Sequence, residues 1–309
     1  TIIIALITYC MAPIVATQPS WFYVMVVVTV LLLTELKHTF TEFAQRMKND
    51  EMITLAKFLA ISGIILPMLP HKNLIPDINL TPYSIWLATV VVSGISYLSY
   101  LLKRYVFHES GTLVSGIIGG LYSSTATISV LARKSRKASE QEATDYVAAM
   151  LLAVSMMFLR FMILILIFSR EIFLSIYPYL LTMAVVAAIV AWFIHSRQKR
   201  PEDQPAETEE DDSSNPLEFK VALIFAVLFV IFTFLTHYTL VYAGTGGLNL
   251  LSFVSGFSDI TPFILNLLQN TGSVAALIIT ACSMQAIISN IMVNMFYALF
   301  FAGKGSKLR

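Results

Sequence analysis

Charge is what this chain has least of. Asp, Glu, Lys and Arg make up 13% of its 309 residues, and a soluble surface needs roughly twice that share. Hydrophobic residues reach 57% and mean hydropathy is +0.76, which excludes a disordered chain. The net charge of +1 offers no basic footprint, so no nucleic-acid partner is expected. Cysteine is as scarce: Cys10 and Cys282 both lie in apolar runs, read as small hydrophobes and exclude a disulfide-stapled secreted domain. Catalytic motifs are missing too. The five histidines stand near span ends without an HExxH, and no P-loop, G-x-S-x-G or dinucleotide fingerprint occurs. Only one acid sits deep in an apolar stretch, whereas an aspartyl intramembrane protease needs two. The chain is expected not to be an enzyme.

Long apolar runs are what it has instead. A bilayer core of ~30 Å takes about 20 apolar residues in a helix. Residues 21–35, 52–69, 84–102, 146–168, 172–194, 217–242 and 272–301 meet or approach that length, and 2–16 forms a shorter run. The latter lacks a basic n-region and a small-residue cleavage site, so it does not read as a signal peptide. Because the sequence starts at Thr1, it is expected to begin inside a longer gene product. Leu36, Phe40, Phe43 and Met47 fall at helical spacing and predict an interfacial helix over 36–51. Residues 201–216, with seven acids and three prolines, read as a solvated loop.

Two further stretches, 111–132 and 247–269, contain glycines, hydroxyls and a polar break. Fifteen of the 20 Lys and Arg residues lie in 36–51, 103–110, 133–137, 195–200 and 304–309. All five segments are cytoplasmic together only if 111–132 enters and leaves from the cytoplasm and 247–269 from outside. Full crossings would strand seven cations of 133–137 and 195–200 on the wrong side. Charge therefore favours two re-entrant hairpins. The stretches also align at a constant offset of 136, with Gly120 on Gly256, Ser123 on Asp259 and Thr125 on Thr261, each flanked by long spans. Hairpins entering from opposite faces make the halves an inverted repeat, as in secondary transporters. The expected fold is an all-α polytopic transmembrane bundle of about eight full spans plus two re-entrant hairpins. Residues 1–83 would be N-terminal, 84–168 the first repeat, 169–216 a linking span and loop, and 217–309 the second repeat.

Off-helix backbone at membrane depth survives only where protein or a water-filled cavity satisfies it, and its free polar groups then become ligands. Ser123, Ser124, Thr125 and Thr127 form the densest hydroxyl cluster; Ser258, Asp259 and Thr261 are the counterpart. These are the candidate ion- or solute-binding residues, with Asn290 beside them and Asp259 the candidate metal ligand. Helix packing is the competing role, and Gly116-x-x-x-Gly120 fits it without a ligand. An acid at depth needs a function or a partner. Arg160, fifteen residues beyond Asp145, stands on the side from which the Asp259 hairpin enters, so a charge pair and snorkelling to the interface are both open. Gln285 with Ser289, and Asn290 with Asn294, stack at i,i+4 in the last span, for interhelical bonding or a solute path.

Gly119-Gly120-Leu121-Tyr122-Ser123-Ser124-Thr125-Ala126-Thr127, followed by Leu131-Ala132-Arg133, resembles a bacterial inner-membrane family of unknown function. Leu66-Pro67-Met68-Leu69-Pro70, Phe158-Leu159-Arg160 and Ser255-Gly256-Phe257-Ser258-Asp259 match it as well, so the resemblance runs from about Lys37 to the end. One departure is visible: where a lysine is expected one turn after Asn290, this chain has Asn294. That family is often fused behind, or grouped with, an MgtC/SapB-like domain. The resemblance thereby implies an MgtC-like domain upstream, a bacterial inner-membrane location and a link to Mg²⁺ or another cation. A single carboxylate argues against a tight dehydrated Mg²⁺ site; a hydrated ion, Na⁺, H⁺ or a small polar solute fits as well. The expectation is a secondary transporter or ion-translocating protein without a resident cofactor beyond a bound cation. Its C-terminus and loop 195–216 are placed in the cytoplasm, and it is expected to dimerise. A non-transporting regulator associated with MgtC is the alternative, and a passive channel is third.

Overall fold

The computed structural model describes residues 9, 24, 25, 27–31, 49–75, 78–106, 111–136, 138–196, 219–269 and 274–302. Most of the runs 2–16 and 21–35, the interfacial helix expected up to residue 48, the acidic loop and the basic tail 304–309 lie outside them. Two compact units are present, 1–59 and 60–309. In the first, Thr29 Oγ1 donates to the Met25 carbonyl at 2.8 Å, an ordinary bond of an exposed helical turn, and helix α1 (Asn49–Ala60) begins.

In the second unit the longer described elements are all helices: α2 (Pro82–Leu101), α3 (Thr112–Lys134), α4 (Glu140–Phe168), α5 (Arg170–Ser196), α6 (Phe219–Ser255), α7 (Ile260–Gln269) and α8 (Ala276–Phe301). Local chemistry sets several boundaries. Thr81 and Ser84 form a reciprocal capping box with Pro82 at the first helical position, and Ser139 with Glu142 repeats the box at α4. Among the described residues six helices are long and apolar enough to cross a membrane. Their outer surface is apolar as well. Leu174, Val186, Ile189 and Trp192 of α5 and Phe296 and Phe300 of α8 are exposed, while Ser93, Thr233, Asn266, Ser289 and Asn294 are buried. Large apolar side chains outside and hydrogen-bonding groups inside are what a lipid solvent selects. The chain is a multi-pass helical membrane protein.

Length and hydropathy alone would make α3 one span, but it is not one rod. At Ser123 the backbone is extended, φ −158° and ψ 103°. An ideal Cβ on Gly119 would stand 2.5 Å from Oγ1 of Thr127. Eight residues of continuous helix rise about 12 Å, so the chain doubles back at Ser123 and the arms 112–122 and 124–134 lie side by side. Each arm reaches only about 16 Å, roughly half a bilayer core.

A second fold-back is built from α6 and α7. Gly244 interrupts α6 at φ +60° and ψ −152°, a conformation closed to L side chains; no atom crowds its missing Cβ, so conformation rather than space requires glycine there. The arm 245–255 then ends in i→i−3 bonds from Gly256, Phe257 and Ser258 to the carbonyls of Phe253, Val254 and Ser255. After the turn 256–259, α7 returns, with Ile260 through Leu268 all buried.

The bases of the two hairpins lie at opposite ends of α8. At one, Gln269 Nε2 donates to the Ser84 carbonyl at 3.3 Å and Asn79 Nδ2 to the Gln269 carbonyl at 3.1 Å, shortly before α8 begins. At the other, the Arg133 guanidinium stands 4.7 Å over the ring of Phe301, where α8 ends. Between them α8 rises about 39 Å at 1.5 Å per residue.

Candidate functional site

The breaks sit level with the middle of the long helices beside them. A Cβ on Gly120 would come within 2.5 Å of the Ala153 Cα and 2.6 Å of its carbonyl oxygen, and one on Gly116 would strike the Ala149 carbonyl. Gly116 and Gly120 thus let the first arm lie backbone to backbone on α4, the packing role that their spacing allows. Gly256 is pressed as closely on the Ser289 side chain of α8. Ala153 and Ser289 fall near the centres of α4 and α8. The pairs Gly120–Ala153 and Gly256–Ser289 keep the same offset of 136 that aligns the two stretches.

Ser123 and Asp259 occupy equivalent places. Ser123 Oγ accepts from the Ala126 N–H at 3.4 Å, and Asp259 Oδ1 from the Thr261 N–H at 2.9 Å. Each caps the returning arm of its hairpin, where the first N–H groups have no helical acceptor. Ser124 and Thr261 are buried; Ser258 and Asp259 are exposed at the second turn. Thr127 instead lies back along the first arm against Gly119, and the Thr125 carbonyl accepts from Ser129 Oγ at 2.8 Å. The hydroxyls named in the sequence therefore divide: Ser123 and Ser124 stand at the break, and Thr127 fills the seam between the arms.

Arg160 holds the tip of the first hairpin. Its Nη1 donates to the Tyr122 carbonyl at 2.7 Å, the last carbonyl before the break, where a cation also meets the negative end of a helix. Asp259 is near enough to act electrostatically on the guanidinium, with no hydrogen bond joining the two among the described residues. The buried Nε of Arg160 has no partner. On the second hairpin Asn290 Nδ2 donates to the Gly256 carbonyl at 3.1 Å and Ser289 Oγ to the Phe253 carbonyl at 2.7 Å. Asn294 Nδ2 passes the network on to Asn290 Oδ1 at 3.2 Å, leaving its own buried Oδ1 unbonded. Sequence reasoning missed the Tyr122 carbonyl and the place of Ser289 at the second break. Ser289 had a signal, its offset from Ala153; a backbone carbonyl has none. Among the described residues no three of His, Cys, Asp and Glu gather as a metal cluster.

Comparison with known proteins gives a family without a function. Residues 90–302 match the family described as a domain of unknown function, DUF4010, a stretch that holds both breaks and Arg160. The chain is 24% identical over 208 residues to an uncharacterized protein of Aquifex aeolicus (strain VF5), covering 65% of this chain and 87% of that protein. No solved structure matches.

Proposed function

From the premise that this chain belongs to the DUF4010 family, we propose that it is a secondary transporter or ion-translocating protein of the bacterial inner membrane. In this reading α3 and the arm of α6 with α7 are re-entrant hairpins of two inverted repeats. The supporting observation is one of geometry: two helix breaks at mid-helix depth, entered from opposite ends of α8 and capped by Ser123 and Asp259, with Arg160 at the first of them. Broken helices near the midplane are where inverted-repeat transporters bind solute and coupling ion. Asp259 is exposed at its turn, and its carboxylate supplies the charge for Na⁺, H⁺ or hydrated Mg²⁺. Ser123, Ser124, Thr261 and Asn290 line the same junction. The function is translocation without chemical turnover. The C-terminus and the 195–216 loop face the cytoplasm, and the working unit is a dimer.

A second reading has an observation in its favour. Ser123, Ser258 and Asp259 already bond to their own hairpins, which a static, non-transporting regulator associated with MgtC-like proteins would also need. Unfolding of the purified protein across Mg²⁺, Ca²⁺, Na⁺, K⁺ and pH, for wild type and Asp259→Asn, separates the two. Under transport, one cation raises the midpoint, by adding about 2.7 kcal/mol of stability at 100 times its dissociation constant, and the mutant loses the effect. Wild-type flux retained by Asp259→Asn in proteoliposomes would sink the role given to that residue.

A further inference from the structure

Arg160 has hydrogen-bonding capacity that the protein itself leaves unused. Its Nη1 is engaged by the Tyr122 carbonyl, while the buried Nε has no acceptor. Nη1 lies on the Cδ side of the guanidinium, so the Tyr122 bond is on one edge and the unpartnered Nε is on the other, the edge it shares with Nη2. That edge is the planar fork that takes a carboxylate, phosphate or sulfate through two parallel N–H···O bonds. A buried guanidinium N–H without an acceptor is unfavourable, and Asp259 makes no hydrogen bond to it among the described residues. Asp259 acts on Arg160 through space and gives Oδ1 to Thr261.

A second observation points the same way. The returning arm 124–134 starts two residues beyond the carbonyl that Arg160 holds, just past the non-helical Ser123, and the first N–H groups of a helix have no acceptor within it. Ser123 caps this arm only through a long 3.4 Å bond to Ala126. A helix N-terminus beside a guanidinium edge is complementary to negative charge.

We infer that the translocated solute is a small oxyanion, held by the Nε edge of Arg160 and the start of the second arm at Ser123 and Ser124, while Asp259 carries the coupling cation. This inference rests on the transport reading above and adds the solute class to it. Oxyanions divide into carboxylates and inorganic oxyanions, and the test separates them.

The test uses the full chain in proteoliposomes, reading charge movement on a solid-supported membrane, with the unfolding midpoint in detergent as a parallel measure. Sodium phosphate, sodium sulfate and sodium succinate are each jumped against sodium chloride at constant sodium and ionic strength. Separate jumps change Na⁺, Mg²⁺ or pH in constant chloride. One of the three oxyanions is expected to give a saturable current and to raise the midpoint. Arg160→Lys keeps the charge and a donor for Tyr122 but not the fork, and should raise the half-saturating concentration at least tenfold. An oxyanion response unchanged in folded Arg160→Lys overturns the assignment. A cation response lost in Asp259→Asn, with none of the three oxyanions acting on wild type, overturns the inference and leaves the transport reading standing. Silence in every arm overturns both. Should Arg160→Lys not fold, the wild-type panel decides, with Ser124→Ala as the second variant and a rise of a fewfold expected.

Discussion

The two hairpins solve one problem with different materials. The second is built like a core: Phe263, Ile264, Leu265 and Leu267 of α7 are fully buried, and Phe263 meets Phe232 edge-on at 5.6 Å. The first has little such side-chain mass at its break. It is held by glycines that bring its backbone onto α4 and by one arginine on its last carbonyl. An arm buried on every face resists motion through the number of its contacts. One held by close backbone approach depends on a few positions, each intolerant of added atoms. Unbonded polar atoms occur beside both hairpins, Arg160 Nε at the first break and Gln269 Oε1 and Asn294 Oδ1 around the second hairpin.

The largest expected effect attacks that difference. Gly120→Val drives side-chain atoms into the Ala153 backbone, which cannot rotate aside; a loss of about 3 kcal/mol, or no folded protein, is expected from unfolding midpoints and gel filtration. Gly256→Ala meets the Ser289 side chain at 2.3 Å and the Asn290 backbone nitrogen at 2.9 Å, so adding Ser289→Gly should recover part of its loss. Equal rescue at both sites, tested with Ala153→Gly on Gly120→Ala, would erase the contrast.

A double-mutant cycle tests the fold-back itself. Gly119→Ala crowds Thr127, and Thr127→Ala should relieve it, with a coupling of about 0.5–3 kcal/mol. A straight α3 keeps the two positions about 12 Å apart and gives no coupling.

Capping comes next in size. Asp259→Ala removes a 2.9 Å bond and should cost about 1 kcal/mol, Ser123→Ala, with its 3.4 Å bond, less, and Asp259→Asn almost nothing, because the amide oxygen still accepts. A larger loss for Ser123 would mean that the first break depends on its cap more than on its glycines. A small effect is also expected away from both hairpins. His195 Nδ1 and Asp145 Oδ1, 2.8 Å apart and each 34% exposed, tie the facing ends of α5 and α4. Asp145→Asn should cost under about 1 kcal/mol and less in high salt, checked by midpoints at two ionic strengths.

Much of this was legible in the residues. The apolar runs delimit the long helices, and Gly-Gly followed by hydroxyls marks the first break. The second was bounded as well, since Ala243-Gly244-Thr245-Gly246 parts 217–242 from 247–269, and the structure puts the helix interruption at Gly244. Arg160 was visible as a charge at depth, but its partner was not. The natural guess from charge is an acid, and the hydrogen-bonded partner is the carbonyl of Tyr122.

Composition and the length of its apolar runs by themselves determined that this chain is a helical membrane protein, because continuous runs of about 20 apolar residues satisfy their backbone in lipid as helices rather than as the short alternating strands of a barrel. They also determined where polar atoms occur along each apolar run. What only the tertiary structure decided is which of those atoms meet. The fold-back at Ser123, the seating of Gly120 on Ala153 and of Gly256 on Ser289, and the half-bonded guanidinium at the first tip are contacts between distant parts of the chain. Sequence spacing fixes neighbours one turn away; contacts across 38 residues exist only once the helices have packed.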